Sequence, residues 1–471
     1  MKIKTAFFLL LLHCTLIQAN AQWNTGFYGT WSGRIPLGSG LSLVFHIADN
    51  GQGGFITTAD SPDQSAFGLK CDTTWVADSM INIHIRAVNA SYKGRLVNDS
   101  TLEGAFVQGA EIPLTLTKTA GPKRPQTPRA LFPYKSEDIV YQDPQGERQY
   151  GATITIPQGS GPFPAVVLIT GSGAQNRDEE LLGHKPFAVI ADALTRNGFV
   201  VLRVDDRGVG KTSGPFRGST SADFAKDVNI SLDYLLKRPE VDKKKLGLLG
   251  HSEGGMIAPM VAAKRNDIDF IVLLAGPGVK ITQLMAEQNA AIARLSGLGE
   301  PAIQAYISMY STLTKEILST PDSASAVSKA RETVGKWIAK TDTALLNQLQ
   351  VDTTAGGEAI ALAMAAQLSD KWFRYFMAFD PAPYLEALRC KVLALNGTKD
   401  VQVIASSNLA GINAALKKSR SKAYSVKEMP GLNHLFQECR ECTPAEYPQL
   451  EETFSPAALK EINNWLNQNV K

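Results

Sequence analysis

The 471-residue sequence has few of the residues that mark metal proteins, disulfide scaffolds and nucleic-acid-binding proteins. It contains five cysteines and six histidines, and its formal net charge is only +3. Five cysteines are too few to form the framework of a chain this long. Basic residues are interspersed with acids and form no stripe, so nothing indicates a nucleic-acid partner. A small-molecule or short-peptide substrate is therefore expected.

The sequence also lacks an apolar run long enough to cross a membrane, which needs about 20 residues. The closest candidate is at the N-terminus, where Lys2 and Lys4 precede the short apolar run of residues 6–12. Ala19 and Ala21 then supply the small residues of a cleavage site. This pattern predicts a signal peptide over residues 1–21 and a secreted or periplasmic mature chain.

Residues 22–118 read as a small all-β domain. Short runs such as residues 41–45 and 81–85 alternate apolar and polar side chains, which is the period of a half-buried strand. Repeated short strands without helical periodicity predict a β-sandwich or a barrel. Residues 119–134 are rich in proline and basic residues and are predicted to be a linker.

Residues 135–471 have a different pattern. Uninterrupted apolar runs occur at residues 165–169, 200–202, 246–249, 270–274 and 392–395. Such runs are typical of strands buried on both faces, and here they alternate with helical segments. The fold class predicted is α/β, with a mostly parallel sheet and helices on both faces. Residues 280–380 interrupt the alternation and predict a helical cap over the carboxyl edge of the sheet, with helical spacing at residues 281–295 and 303–318.

The strongest local motif is Gly250-His251-Ser252-Glu253-Gly254. It follows an apolar strand and precedes a helix-compatible segment, which is the context in which G-x-S-x-G forms a tight turn presenting a nucleophilic serine. The glycines are needed where a Cβ would collide. Ser252 is the candidate nucleophile.

A serine hydroxyl needs a base and a group that orients the base. The histidine downstream of Ser252 is His434, in a turn-rich segment after a predicted strand. Asp400 follows the strand at residues 392–395, where a carboxylate would reach the same sheet edge and fix the tautomer of His434. Asp380 is the rival acid, but it precedes that strand.

The oxyanion of the transition state needs backbone donors. The amide of Glu253 is one candidate, and that of Ser172, in the loop Thr170-Gly171-Ser172-Gly173, is the other, with Gly173 as the alternative. The next residues, 175–178, would either contact substrate or brace this loop. Residues 205–208 are interpreted as a structural turn near the site.

Cys439 and Cys442 have C-x-x-C spacing, which allows a redox motif, half of a zinc site or a local disulfide. A structural disulfide is favoured, because no second C-x-x-C or histidine pair completes a metal site. No metal or organic cofactor is expected. The phosphate-loop-like residues 208–212 are set aside, because Asp205 stands where that motif requires glycine.

Together, the strings at residues 171–178, 205–208, 250–255 and 431–434 resemble the α/β-hydrolase superfamily across residues 134–471. The closer resemblance is to secreted bacterial carboxylesterases of the serine aminopeptidase-like branch, which carry an extra N-terminal β domain. The resemblance implies a triad of Ser252, Asp400 and His434 and hydrolysis of short-chain acyl esters. No His-Gly-Gly motif precedes the oxyanion loop, in contrast to better-known esterases.

Three hypotheses follow from the sequence. The first is a serine esterase acting through an acyl-enzyme. The second is a serine aminopeptidase acting on short peptides, which would need an acid near the site to hold the substrate amine. The third is a catalytically inactive protein whose β domain binds glycans or the cell envelope.

Overall fold

The structure is a computed structural model, and it describes residues 26–36, 40–49, 54–64, 66–119, 123–129, 131–320, 322–349, 351, 354–444 and 446–471. The predicted signal peptide lies outside these residues. The chain divides into two compact units, Met1–Lys123 with Tyr447–Gln449 and Arg124–Glu446 with Leu450–Lys471.

The first unit is an antiparallel sheet of nine strands in the order β4-β3-β2-β1-β9-β8-β7-β6-β5. The strands are β1 (Gly29–Ile35), β2 (Leu41–Asp49), β3 (Phe55–Ser61), β4 (Ala66–Lys70), β5 (Thr73–Ala77), β6 (Met80–Ile85), β7 (Ala90–Asn98), β8 (Thr101–Gln108) and β9 (Ala110–Thr119), with 3₁₀ turns at Pro62–Gln64 and Arg86–Val88.

The sheet of the first unit curls so that β3, next to one edge, contacts β5 at the other edge. The amide of Cys71 donates to the carbonyl of Thr57 at 3.0 Å, and the Thr74 hydroxyl donates to that of Thr57 at 2.8 Å. These bonds join β3 to the start of β5, so one curved sheet surrounds one core, which is closer to the expected barrel than to the expected sandwich. Trp31, Phe45 and Tyr92 are fully buried inside it.

The second unit contains an eight-stranded sheet in the order β10-β11-β13-β12-β14-β15-β16-β17. Its strands are β10 (Lys135–Gln142), β11 (Gln149–Ile156), β12 (Phe163–Ile169), β13 (Val200–Val204), β14 (Val241–His251), β15 (Ile268–Leu274), β16 (Lys391–Gly397) and β17 (Tyr424–Met429). The pairs β10–β11 and β11–β13 are antiparallel, and the other pairs are parallel. The predicted apolar runs form the central strands of this sheet.

Twelve helices of the second unit lie among the described residues: α1 (Pro186–Arg196), α2 (Ser221–Leu235), α3 (Glu253–Ala262), α4 (Ile281–Leu295), α5 (Glu300–Leu318), α6 (Ser323–Lys340), α7 (Thr343–Gln348), α8 (Thr354–Ser369), α9 (Lys371–Met377), α10 (Ala382–Glu386), α11 (Ala405–Leu416) and α12 (Pro456–Asn469). The apolar side chains of the sheet pack in two clusters, one on each face. This is the α/β-hydrolase arrangement, which confirms the expected fold class.

Helices α4–α9 lie between β15 and β16 and form the predicted cap of residues 280–380, whereas the short helix α10 follows it. Helix α4 has the bounds expected from its apolar spacing. Helix α5 begins three residues earlier than expected, at Glu300, because Pro301 fits the first turn, where no amide donor is needed. Among the residues that the structure describes, no helix is long and apolar enough to cross a membrane.

Part of the predicted linker is held against the second unit. Arg124 Nη1 donates to the carbonyl of Leu450 at 2.6 Å. The amide side chain of Gln126 donates to the carbonyl of Phe454 at 2.7 Å and accepts from the amide of Thr453 at 2.6 Å. Residues 124–126 are therefore ordered by hydrogen bonds rather than by regular secondary structure.

Candidate active site

Ser252 lies at a sharp turn between β14 and α3. Its backbone has φ 52° and ψ −115°, a left-handed conformation that non-glycine residues rarely adopt. The amide of Ser252 donates to the carbonyl of Leu274 at 2.9 Å, which holds the turn against β15. Strain of this kind persists only where the surroundings enforce it, and it is characteristic of functional sites.

The flanking glycines are required by close backbone approaches. A Cβ on Gly250 would lie 2.0 Å from the carbonyl oxygen of Gly254, and a Cβ on Gly254 would lie 2.1 Å from that of Ile169. Real Cβ atoms do not come this close to backbone oxygen. The glycines of the motif therefore allow the strand, the turn and the loop after β12 to pack together.

The imidazole of His434 is held by a buried carboxylate. His434 Nδ1 donates to Asp400 Oδ2 at 2.8 Å, and the exposed fractions of the two side chains are 6% and 0%. The second oxygen of Asp400 accepts from the amides of Gln402 and Val403 at 2.8 and 2.9 Å. These bonds leave Nε2 of His434 as the nitrogen available for a proton transfer.

The loop of His434 contacts the serine turn through His251. The ring centroids of His251 and His434 are 4.8 Å apart, and His251 immediately precedes Ser252. In the described part of the chain the Ser252 hydroxyl makes no hydrogen bond, and Nε2 of His434 has none either. Catalytic hydrogen bonds are often long in ligand-free structures and shorten when substrate binds.

The loop after β12 lies directly beside the serine. A Cβ on Gly171 would be 3.4 Å from Cβ of Ser252. Within the described ranges, the amides of Ser172 and Glu253 donate to no protein acceptor. Glu253 is the first residue of α3, where the positive end of the helix dipole also favours negative charge. Both predicted oxyanion donors thus have free N–H groups near Ser252.

Asp206 braces the loop that carries Ser172. Its Oδ1 accepts from the Thr170 hydroxyl and its Oδ2 from the amide of Gln175, both at 2.9 Å. Burial raises the pKa of Asp206 to about 7, against the lowering effect of these bonds and with a further contribution from the charges of Glu179 and Glu253. The turn at residues 205–208 therefore supports the loop beside Ser252 through Asp206.

The segment at residues 175–178 also braces the loop. Arg177 forms an ion pair with Asp205 at 2.6 Å and donates to the Thr153 hydroxyl at 2.9 Å. The Gln175 side chain donates to the carbonyl of Ser172 at 3.3 Å. Of the two roles that the sequence left open for these residues, the contacts show bracing.

Glu253 connects the serine turn to the cap. Its buried Oε1 accepts from the Ser221 hydroxyl on α2 at 2.6 Å and from Trp372 Nε1 on α9 at 2.8 Å. Burial raises the pKa of Glu253, and the two hydrogen bonds partly offset that rise. The indole of Trp372 stacks on Phe376, with ring centroids 5.3 Å apart.

The other candidates lie apart from this centre. Asp380 accepts from the amide of Ala382 at 3.0 Å and lies 3.8 Å from Lys280. Cys439 and Cys442 form a disulfide, as favoured from the sequence. Glu446, the third potential metal ligand of that cluster, accepts from the amides of Arg440 and Cys442.

Several residues around the site were not predicted. These residues are Glu179, Ser221 and Trp372, together with His251, which occupies a variable position of the serine motif. No local pattern identifies the first three, since their partners are 8 to 119 residues away in the chain. The available signal was His251 itself, a titratable residue beside the candidate nucleophile.

The sequence is similar to those of known hydrolases. The family model described as serine aminopeptidase, S33, matches residues 185–437. Esterase EstD of Thermotoga maritima is 34% identical over 155 residues, which are 31% of this chain and 37% of that protein. Acyl-coenzyme A thioesterase 3 of Mus musculus is 29% identical over 147 residues, 29% of this chain and 28% of that protein. The matches thus span about a third of the length of these relatives.

Solved structures also resemble the chain. The structure of Est1E from Butyrivibrio proteoclasticus with bound ferulic acid has 16% identity and a TM-score of 0.42, and the match covers 70% of this chain and 99% of that one.

Proposed function

Because this chain belongs to the serine aminopeptidase family of α/β hydrolases, we propose that it is a serine hydrolase that cleaves carboxylic esters with short acyl chains. Ser252 is the nucleophile, His434 the general base and Asp400 the group that orients the base. The observation that carries the proposal is the buried Asp400–His434 hydrogen bond of 2.8 Å at the same sheet edge as the strained turn of Ser252.

The proposed reaction has two stages. Ser252 Oγ attacks the ester carbonyl while its proton passes to His434 Nε2, and the N–H groups of Ser172 and Glu253 hold the oxyanion. The intermediate expels the alcohol, which takes the proton from His434 and leaves an acyl-enzyme. Water then attacks the acyl carbon, again with His434 as base, and releases the carboxylic acid. This chain's residues supply every proton transfer, so no metal or cofactor is invoked.

The support is of two kinds. The described geometry has a free Nε2 on the oriented imidazole and two amides without protein acceptors beside the serine. Esterase EstD, a relative at 34% identity over part of the chain, is named for ester cleavage. Short acyl chains are proposed from the resemblance of the motifs to bacterial carboxylesterases.

The test is a substrate panel on the purified mature chain. Aryl acetate, butyrate and octanoate esters are compared by kcat/KM, together with labelling by a fluorophosphonate probe. Turnover that is highest for acetate or butyrate, with labelling of Ser252, is expected. A folded chain that neither labels nor turns over any ester would overturn the proposal and favour the binding-protein hypothesis.

An aminopeptidase is the second candidate, because the matching family model carries that name. It would need a carboxylate free to bind the substrate ammonium. Near Ser252, Asp206 and Glu253 both accept hydrogen bonds from the protein. We therefore propose esters as the substrates. An alanine p-nitroanilide cleaved faster than an aryl acetate would favour the aminopeptidase instead.

We also propose that the chain is exported. The charged, apolar and small-residue pattern of residues 1–21 and the disulfide between Cys439 and Cys442 support this location. Mass spectrometry of the protein from its native host should give an N-terminus at Gln22. An intact N-terminus in a cytoplasmic fraction would contradict it.

A further inference from the structure

His251 and Glu179 join the two loops on either side of Ser252. His251 Nε2 donates to the backbone carbonyl of His434 at 3.0 Å. His251 Nδ1 lies 3.0 Å from Glu179 Oε1, and the same oxygen accepts from the amide of Gly171 at 2.6 Å. A continuous line of hydrogen bonds thus runs from the loop of His434 to the residue before Ser172.

We infer that His251 and Glu179 are positioning residues, which set the distance between the imidazole of His434 and the oxyanion amide of Ser172. This inference rests on the proposed hydrolase function. His251 adjoins Ser252 in the chain, so the pair is fixed to the serine turn as well. One ion pair would therefore hold all three parts of the catalytic centre in register.

The partners of His251 determine its protonation state. A backbone carbonyl can only accept, and Glu179 Oε1 already accepts from Gly171, so both ring nitrogens of His251 are placed to donate. Imidazolium paired with carboxylate satisfies every contact. Burial lowers the pKa of His251, but the charge and hydrogen bond of Glu179, the bond to the His434 carbonyl and the charge of Asp400 together raise it.

The surroundings of the pair contain few other charges. The nearby titratable groups are Asp400 and His434 on one side and Asp206, whose pKa is raised by the charge of Glu179, on the other. The remaining neighbours are apolar and come from α1, the end of β15 and the segments near α12: Pro186, Phe187, Ile190, Leu274, Leu435 and Phe454. In such surroundings, a paired charge holds its partners strongly and an unpaired one is costly.

The backbone of Glu179 gives independent support. Glu179 has φ 50°, although it is not glycine, and its amide donates to the carbonyl of Asn176 at 2.8 Å. A glutamate held in a left-handed conformation requires compensating contacts. Its side chain, 5% exposed, supplies them through His251 and Gly171.

The pH dependence has a definite sign. The folded-state pKa of His251 is raised, so the imidazolium with both ring donors is present at low pH. As pH rises through that pKa, the ring loses one proton and therefore one of its two donated hydrogen bonds. Glu179→Gln removes the charge that raises this pKa. The alkaline decline of kcat should therefore move to lower pH in the variant, a change that a merely structural role would not produce.

The experiment compares Glu179→Gln with Glu180→Gln, the same chemical change at the exposed neighbouring residue. In Glu179→Gln we expect kcat for an aryl acetate to fall about 10- to 100-fold with little change in KM, as for loss of hydrogen bonds to a charged group. Glu180→Gln should match the parent. If Glu179→Gln keeps the parental kcat and the parental alkaline limb, the inference is wrong.

Proton NMR provides a readout that does not depend on turnover. His251 should give two slowly exchanging ring N–H resonances at neutral pH, assigned by their loss in His251→Gln and unaffected by His84→Gln. Their absence in an active enzyme overturns the positioning pair while the esterase proposal stands. Their presence in a chain without ester turnover supports the ion pair and overturns the proposed function instead.

Discussion

Each unit of this chain contains a hydroxyl, an imidazole and a carboxylate as a possible set, with the imidazole bonded to the carboxylate in both. Among the described residues, only in the first unit is the hydroxyl also bonded to the imidazole, yet the second set has the features of a catalytic centre. In the first unit, the hydroxyl of Thr30 lies 3.2 Å from His46 Nδ1, and His46 Nε2 lies 2.7 Å from Asp60 Oδ2. A neutral imidazole that accepts from Thr30 and donates to Asp60 would reproduce the roles of a triad.

The two sets differ in their backbones. Thr30 lies within β1 and is paired with β2 on one side and β9 on the other, so its neighbourhood is an extended ladder. Ser252 lies at a left-handed turn, beside amides of Ser172 and Glu253 that have no protein acceptor.

The imidazoles differ in burial as well. The side chain of His46 is 36% exposed and that of His434 only 6%. A hydroxyl, an imidazole and a carboxylate next to one another are therefore not enough to identify a hydrolase site. The strained turn and the free amides distinguish the candidate site, and both are backbone properties.

Removing each hydroxyl is the most direct test of which set is catalytic. Ser252→Ala should reduce kcat/KM for an aryl acetate by about 10⁴-fold or more, because the nucleophile is lost. Thr30→Ala should leave it unchanged. A fall with Thr30→Ala, or an active Ser252→Ala protein, would reverse the assignment of the two sets.

The next largest effect on activity is expected at Asp400, one of the two acids considered from the sequence. Asp400→Asn should lower kcat by about 10⁴-fold, since the amide no longer fixes the tautomer of His434. Asp380→Asn, at the rival acid, should change kcat less than about threefold, because Asp380 is a partly exposed charge that faces Lys280. Steady-state kinetics of both variants decide between the two acids, and equal losses would contradict the choice of Asp400.

A smaller loss of activity is expected at Asp206. Asp206→Asn places an amide donor or a weaker acceptor against the amide of Gln175, so kcat should fall about 10-fold at pH 8. The folded-state pKa of about 7 lies above the ordinary 3.8, so the native state binds more protons than the unfolded state between these values.

The parental free energy of unfolding therefore loses the contribution of Asp206 as pH rises from about 4 to about 7. Asn cannot titrate, so the variant should show a weaker decline, measured by urea unfolding at several pH values. An unchanged pH dependence of stability would show that Asp206 is not the group responsible.

The smallest effect on activity is expected at Asp60. Its Oδ1 accepts from the amide of Gly68 at 2.8 Å and its Oδ2 from His46, so Asp60→Ala leaves two donors without acceptors. The free energy of unfolding of the first unit should fall by about 2 kcal/mol, with ester turnover unchanged. Asp99→Ala, at an exposed turn of the same unit, is the matched control. A parallel loss of turnover would give the Asp60 set a role in catalysis.

Much of this architecture was predictable because its signals are local. Apolar runs predicted the central strands β12 to β16, and the residues Gly250 to Gly254 predicted the serine turn. Ser252, Asp400 and His434 could be predicted as one set because each follows a predicted strand, and the carboxyl ends of parallel strands meet at one edge of a sheet.

The remaining features depend on contacts between distant residues. Trp372 bonds Glu253 across 119 residues, and Glu179 bonds His251 across 72. Neither pair has a spacing or a composition that a sequence can reveal. The alternation of apolar and polar residues also could not separate a sandwich from a barrel, because closure depends on where β3 and β5 meet.

The indole of Trp372 has a consequence for altering substrate range. It belongs to the roof over the site, yet it donates to the side chain of Glu253, whose own N–H is a proposed oxyanion donor. A transplanted or shortened cap without a donor at this position would remove one of the two hydrogen bonds to the buried carboxylate of Glu253. That carboxylate lies next to the place where the proposed oxyanion develops its negative charge. Variants designed for bulkier substrates should therefore keep the hydrogen bond from Trp372 to Glu253 and change the aromatic neighbours of Trp372 instead.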